Sequence, residues 1–172
     1  IVLIGYRCTG KSTIGQKLAQ ALVLPFYDTD ALIEAVTGMT IRQIVDQRGW
    51  PYFREKEQEC IRRVGLMCDC VIATGGGVVM FPENRTILKE NSLVVWLAAD
   101  IDTILARLKA DQATHNQRPP LSDADIRRET EKMLHERTPT YRELADMTID
   151  TAIHGVDDAV EAVCRLVKAE LI

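Results

Sequence analysis

Residues 1–15 read IVLIGYRCTGKSTIG, and Gly5-Tyr6-Arg7-Cys8-Thr9-Gly10-Lys11-Ser12 within them fits G-x-x-x-x-G-K-[ST]. That pattern describes a loop whose backbone N–H groups cradle nucleotide phosphates. Its surroundings decide the fold. Ile1 to Ile4 is a short unbroken apolar run, as expected of a strand covered on both faces. After the loop, Ile14, Leu18, Ala21 and Leu22 recur at helical spacing, and Pro25 ends the segment. Strand, loop and helix follow in the order that the motif needs.

Farther along, strands and helices continue to alternate. Strands are expected at 24–28, 71–73, 93–97 and 147–149. Helices are expected from Asp30 as cap to Gly38, over 40–47, from Pro51 to Met67, over 82–90, over 101–109, from Ser122 with a capping-box-like Asp125, and over 156–167. Brief apolar strands separated by helices predict an α/β fold of three layers, α/β/α, with a central five-stranded parallel sheet that carries the P-loop. With 172 residues, 47% of them hydrophobic, the chain suits one domain. The polar stretch 110–120, ADQATHNQRPP, ends in two prolines and predicts a lid over about 110–122.

Composition narrows the classes of function. A net charge of −4, from 21 Lys and Arg against 25 Asp and Glu, supplies no general basic field for nucleic acid. No apolar run approaches the roughly 18 residues of a membrane helix, and neither a basic leader nor a cleavage site is visible. A soluble, cytoplasmic monomer is the expectation. Cys8, Cys60, Cys68, Cys70 and Cys164 follow no disulfide or zinc spacing.

Nucleotide binding falls to Cys8, Thr9, Gly10, Lys11, Ser12 and Thr13, with Lys11 reaching the β and γ phosphates and Ser12 offering its hydroxyl to Mg²⁺. The acceptor must be found elsewhere. Asp28-Thr29-Asp30 ends the second strand, so two carboxylates leave the sheet edge beside the phosphate loop. Their roles are open: one toward metal and one toward an acceptor hydroxyl, or a turn and a helix cap. Arg54 and Glu57 stand one helical turn apart, and Gly75-Gly76-Gly77 offers backbone amides to a small anionic or hydroxylated ligand.

GYRCTGKST, DTD, FREKE, ATGGGVV, RPPL and ERTPTY, in this order, resemble the shikimate kinases, which phosphorylate the 3-hydroxyl of shikimate with ATP. The resemblance implies roles for individual residues. Asp30 would contact the shikimate hydroxyls and orient or deprotonate the attacking one, while Asp28 would assist the metal. Arg54 and Arg137 would hold the carboxylate beside the Gly76 amide. Arg118, before Pro119, would contact ATP phosphates from the lid. A compact carboxylate suits these forked guanidinium groups. Gluconate kinases and nucleoside monophosphate kinases share the loop and are the alternative acceptor classes. A nucleotide-dependent switch would carry D-x-x-G and N-K-x-D, and neither is present.

Two positions depart from the family pattern. Cys8 stands where members often have another glycine, and residues 151–155, TAIHG, lack the arginine that some members place against adenine. Whether His154 fills that place is open at this level.

Overall fold

A computed structural model describes residues 1–90, 92–110 and 123–170. The chain runs β1 (Val2–Ile4), α1 (Lys11–Leu22), β2 (Phe26–Asp28), α2 (Thr29–Thr37), α3 (Ile41–Val64), β3 (Val71–Ala73), α4 (Pro82–Lys89), β4 (Val94–Ala98), α5 (Ile101–Ala110), α6 (Asp123–Leu144), β5 (Met147–Asp150) and α7 (Val156–Glu170). The five strands pair in parallel in the order β2-β3-β1-β4-β5. β1 is therefore central, and the phosphate loop rises from its carboxyl end between β3 and β4.

Alternation along β1 builds both layers of core. Val2 and Ile4 face a cluster with Phe53, Ile61, Leu88 and Tyr141 from α3, α4 and α6. Leu3 points the other way, to Ile14 and Leu18 of α1 and Ala159 and Val163 of α7. A strand buried on both faces reads as an uninterrupted apolar run because side chains two apart share a face. The three-layer α/β/α expectation is met.

Several boundaries differ from those expected. Asp30 does not cap α2: Asp28 does, its Oδ1 accepting from the backbone N–H of Asp30 at 3.0 Å and of Ala31 at 3.3 Å. The cap residue must be extended, which Asp28 is at the end of β2, whereas Asp30 already has helical neighbours. The expected helices at 40–47 and 51–67 form one element, α3, broken only at Gly49 with φ 80° and ψ 169°. Thr40 closes a capping box with Gln43, as its hydroxyl allows, and Pro51 sits just beyond the break where its missing N–H costs no helical bond. α3 stops at Val64, short of Met67. A 3₁₀ turn over Val78–Met80 follows the glycine run and was not foreseen. Of the lid expected over about 110–122, Ala110 is instead the last residue of α5, and the rest, with the cap at Ser122, lies outside the described residues.

Gly5 shows why the loop pattern begins with glycine. Its φ is +143°, and a Cβ built there would lie 2.4 Å from the Leu97 carbonyl oxygen on β4. Backbone atoms of a central strand cannot move aside as a side-chain end does. Gly5→Ala should lower unfolding free energy by about 3 kcal/mol, measured by urea titration, combining backbone strain with overpacking.

Candidate active site

Above the carboxyl ends of β1, β2 and β3 lies a cavity of about 680 Å³. Cys8, Gly10, Lys11, Ser12 and Thr13 line it from the phosphate loop, Asp28 and Asp30 from β2 and α2, Arg54 and Glu57 from α3, Gly75 to Gly77 from the loop after β3, and Arg137 from α6. Chain segments more than a hundred residues apart thus meet in one cleft, at the crevice where parallel α/β sheets bind ligands.

Lys11 is the first residue of α1 and is only 9% exposed. Its Nζ donates to the carbonyl oxygens of Gly5 at 2.9 Å and Tyr6 at 2.6 Å, folding the ammonium back over the loop. Burial lowers its pKa to about 8, and the nearby Asp30 and Asp28 carboxylates oppose that fall. Thr9 turns inward, donating its hydroxyl to Tyr6 O at 2.8 Å, so its side chain shapes the loop and does not line the cavity. Cys8 has φ 59°, the left-handed region in which glycine is unstrained. That backbone geometry would suit the glycine that the family pattern leads one to expect at this position. Arg107 braces the loop, donating to Cys8 O at 3.2 Å and Thr151 Oγ1 at 3.0 Å. His154 is exposed and does not line the cavity.

Ser12 Oγ donates to Asp28 Oδ2 at 2.6 Å. A hydroxyl at the start of α1 and a carboxylate whose other oxygen is fixed by the α2 cap form an oxygen pair beside the phosphate loop. Such a pair suits Mg²⁺, which takes few protein ligands and completes its shell with water and phosphate.

Asp30 is half-buried, and its Oδ1 is buried without a hydrogen-bond partner. A Cβ on Gly75 would come within 2.7 Å of that oxygen, so glycine there lets the carboxylate into the cleft. Burial raises its pKa to about 7, reinforced by the Asp28 and Glu57 charges and opposed by Lys11. An orphaned acceptor near neutrality is the group expected for taking a proton from a bound hydroxyl.

Arg54 Nη1 donates to Glu57 Oε2 at 2.7 Å, and Glu57 is 1% exposed. Arg54 also lies against Trp50 and Phe53, with its guanidinium carbon 5.4 and 5.2 Å from their ring centres. This ion pair is not solvent-exposed, since its carboxylate is buried. Arg137 Nη1 donates to Gly76 O at 3.1 Å, and among the described residues it has no carboxylate partner. The absence of a side chain at Gly77 leaves room for the guanidinium: a Cβ there would lie 2.6 Å from Arg54 Nη1 and would push that side chain aside. Arg118 lies outside the described residues.

Sequence reasoning missed several contributors. The Thr29 hydroxyl accepts from Gly75 N at 3.0 Å, and the Tyr141 hydroxyl donates to Gly76 O. Both residues lie inside motifs already singled out, DTD and ERTPTY, but nothing in a sequence says that a side chain reaches the glycine loop. Trp50, Arg7 and Met133 also line the cavity, and a hydrophobic pattern alone assigns Trp50 and Met133 to core.

A phosphate loop, an oxygen pair for a divalent cation, an orphaned carboxylate and two arginines around one cleft define a P-loop small-molecule kinase. The shikimate kinase family model matches residues 7–168. A shikimate kinase of Syntrophus aciditrophicus is 41% identical, over 99% of this chain and 91% of its own length. One of Pelotomaculum thermopropionicum is 40% identical over 98% and 95%. The solved shikimate kinase of Acinetobacter baumannii in complex with shikimate superposes with a TM-score of 0.89 and 31% identity, covering 98% of this chain and 92% of that one. The chain belongs to the shikimate kinase family, and is an ATP-dependent small-molecule kinase.

If Asp30 takes the acceptor's proton, it must be ionised to do so, and kcat/KM falls with a slope of one as pH drops through about 7, while Asp30→Asn loses at least about 100-fold in kcat and this limb of the profile. Stability carries the opposite sign. The folded pKa lies above the unfolded value of 3.8, so the chain loses stability as pH rises from about 4 to 7. The ligand-free Asp30→Asn variant should therefore be more stable than wild type at pH 8, by about 1–2 kcal/mol, and no more stable at pH 4.

Proposed function

We propose that the chain transfers the γ-phosphoryl of Mg·ATP to the 3-hydroxyl of shikimate, giving shikimate 3-phosphate and ADP. One observation carries this reading: Arg54 and Arg137 converge on the glycine loop of the same cleft that holds Lys11 and Asp30. A hydroxylated acid bound there by its carboxylate presents its ring hydroxyls toward Asp30 and the phosphate loop. Two forked cations bind a carboxylate in a fixed plane, which a nucleotide acceptor would not need.

Each residue then has a task. Asp30 takes the proton of the attacking hydroxyl as that oxygen bonds to the γ phosphorus and the bond to the ADP oxygen breaks. Lys11 leaves the Gly5 and Tyr6 carbonyls for the phosphates, and the loop amides of Cys8 to Thr13 hold them. Ser12 and Asp28 would hold Mg²⁺, which would supply positive charge beside the phosphates. The helical segment of about 30–62 is the acceptor-binding part of the single domain 1–172. The family resemblance would give the stretch after α5 the part of a lid, with Arg118 for the phosphates; these residues lie outside the described ones.

No helix among the described residues is long and apolar enough to cross a membrane. We place the enzyme in the cytoplasm as a monomer, acting on shikimate without nucleic-acid or membrane partners. ADP release measured with shikimate, gluconate and a set of nucleoside monophosphates tests the assignment. Turnover should require shikimate, and ADP release without it or a preference for another acceptor would refute the reading. Arg54→Ala should raise KM for shikimate about 100-fold with a smaller change in kcat, because it removes a charged bond made before and during transfer. Its KM for ATP should stay within about two-fold of wild type.

A further inference from the structure

Arg137 and Tyr141 lie one helical turn apart on α6, and both donate to one acceptor, the carbonyl oxygen of Gly76. Tyr141 is 1% exposed, and its ring stacks on Trp96 of β4 with centres 5.9 Å apart and planes 24° apart. On the neighbouring residue, the Gly75 N–H is held by Thr29. The first two residues of the glycine run are thus held from opposite sides, Gly75 from α2 and Gly76 from α6. None of these bonds is needed to close a helix or sheet. They set the direction of peptide units that line the cleft.

That direction matters for an anionic ligand. Peptides here are trans, so the C=O of Gly76 and the N–H of Gly77 point opposite ways. With the oxygen held toward α6, the N–H turns away from α6, and the Arg54 guanidinium lies beside Gly77. A released Gly76 carbonyl could rotate its oxygen toward the carboxylate site and repel the acid, because glycine imposes no steric bar to that rotation. Arg137 alone would have to prevent this, using a donor that the ligand also needs.

On the reading that the cleft binds shikimate, we infer that Tyr141 is a positioning residue for the acceptor: its hydroxyl locks the Gly76 peptide so that the glycine run shows the substrate carboxylate its N–H face and Arg137 stays available to the acid. Tyr141 does not itself line the cavity. Its influence is therefore confined to acceptor binding, and the phosphate loop keeps its own supports in Thr9 and Arg107.

Tyr141→Phe keeps the ring against Trp96 and deletes only the donor. Steady-state kinetics on the full chain should show KM for shikimate raised about ten-fold, as expected for one lost bond in a buried network. KM for ATP should remain within two-fold of wild type and kcat within three-fold. An unchanged KM for shikimate in Tyr141→Phe would overturn the proposal, as would equal rises for shikimate and ATP. A Tyr141→Phe chain that failed to fold would assign the hydroxyl to stability and overturn it too. Wild-type turnover in the same assay separates this outcome from failure of the shikimate assignment, which would appear as no activity with shikimate in either protein.

Discussion

Charge confined in a partly dry cleft is the constraint on which the site depends. Burial drives Lys11 down to about 8 and Asp30 up to about 7, so each approaches the neutral range. Each also moderates the other, since the carboxylate favours the ammonium and the ammonium the carboxylate. Neither residue would hold a useful protonation state alone in that setting. The fold enforces their proximity by setting β1 between β3 and β4, with β2 one strand farther out, so that loops from separate strands open over the same edge. Arg54 follows a related rule: Glu57 is buried beneath it and balances its charge without consuming the whole guanidinium fork.

Much of this was visible in the amino-acid order. β1 and α1 were recognisable because a doubly buried strand and a one-sided helix leave different periodicities, and the loop between them needs glycine at Gly5 and Gly10. The pairing of Arg54 with Glu57 followed from helical spacing. What spacing could not supply was depth: an ion pair three residues apart is usually exposed, and only packing beneath α3 makes Glu57 inaccessible. The cap of α2 was misassigned for a related reason. Asp28 and Asp30 are the same residue type two positions apart, and the choice depends on which one the strand leaves extended. Arg118 carries an expectation from the family pattern, and it lies outside the described residues.

The glycine run joins the two halves of the cleft more closely than its length suggests. Gly75 admits the Asp30 carboxylate, Gly76 passes beside the Arg7 backbone of the phosphate loop, and Gly77 admits Arg54. Three adjacent residues without side chains are costly to order, and each is used by a different neighbour. Hydrogen bonds from Thr29, Arg137 and Tyr141 restrain that freedom once the chain is folded. Permissive backbone and rigid supports are complementary here: the first makes room, and the second chooses one conformation within it.

The interruption of α3 at Gly49 separates two kinds of responsibility. Ile41, Arg42 and Val45 border the cavity before it, while Arg54 and Glu57 stand after it on a helix restarted by Pro51. Redesign of the enzyme for bulkier or smaller alcohols can therefore be attempted in the earlier half, with the acid-gripping half left untouched. A continuous rod would tie both properties to a single rigid axis, and every change of size would disturb the anchor.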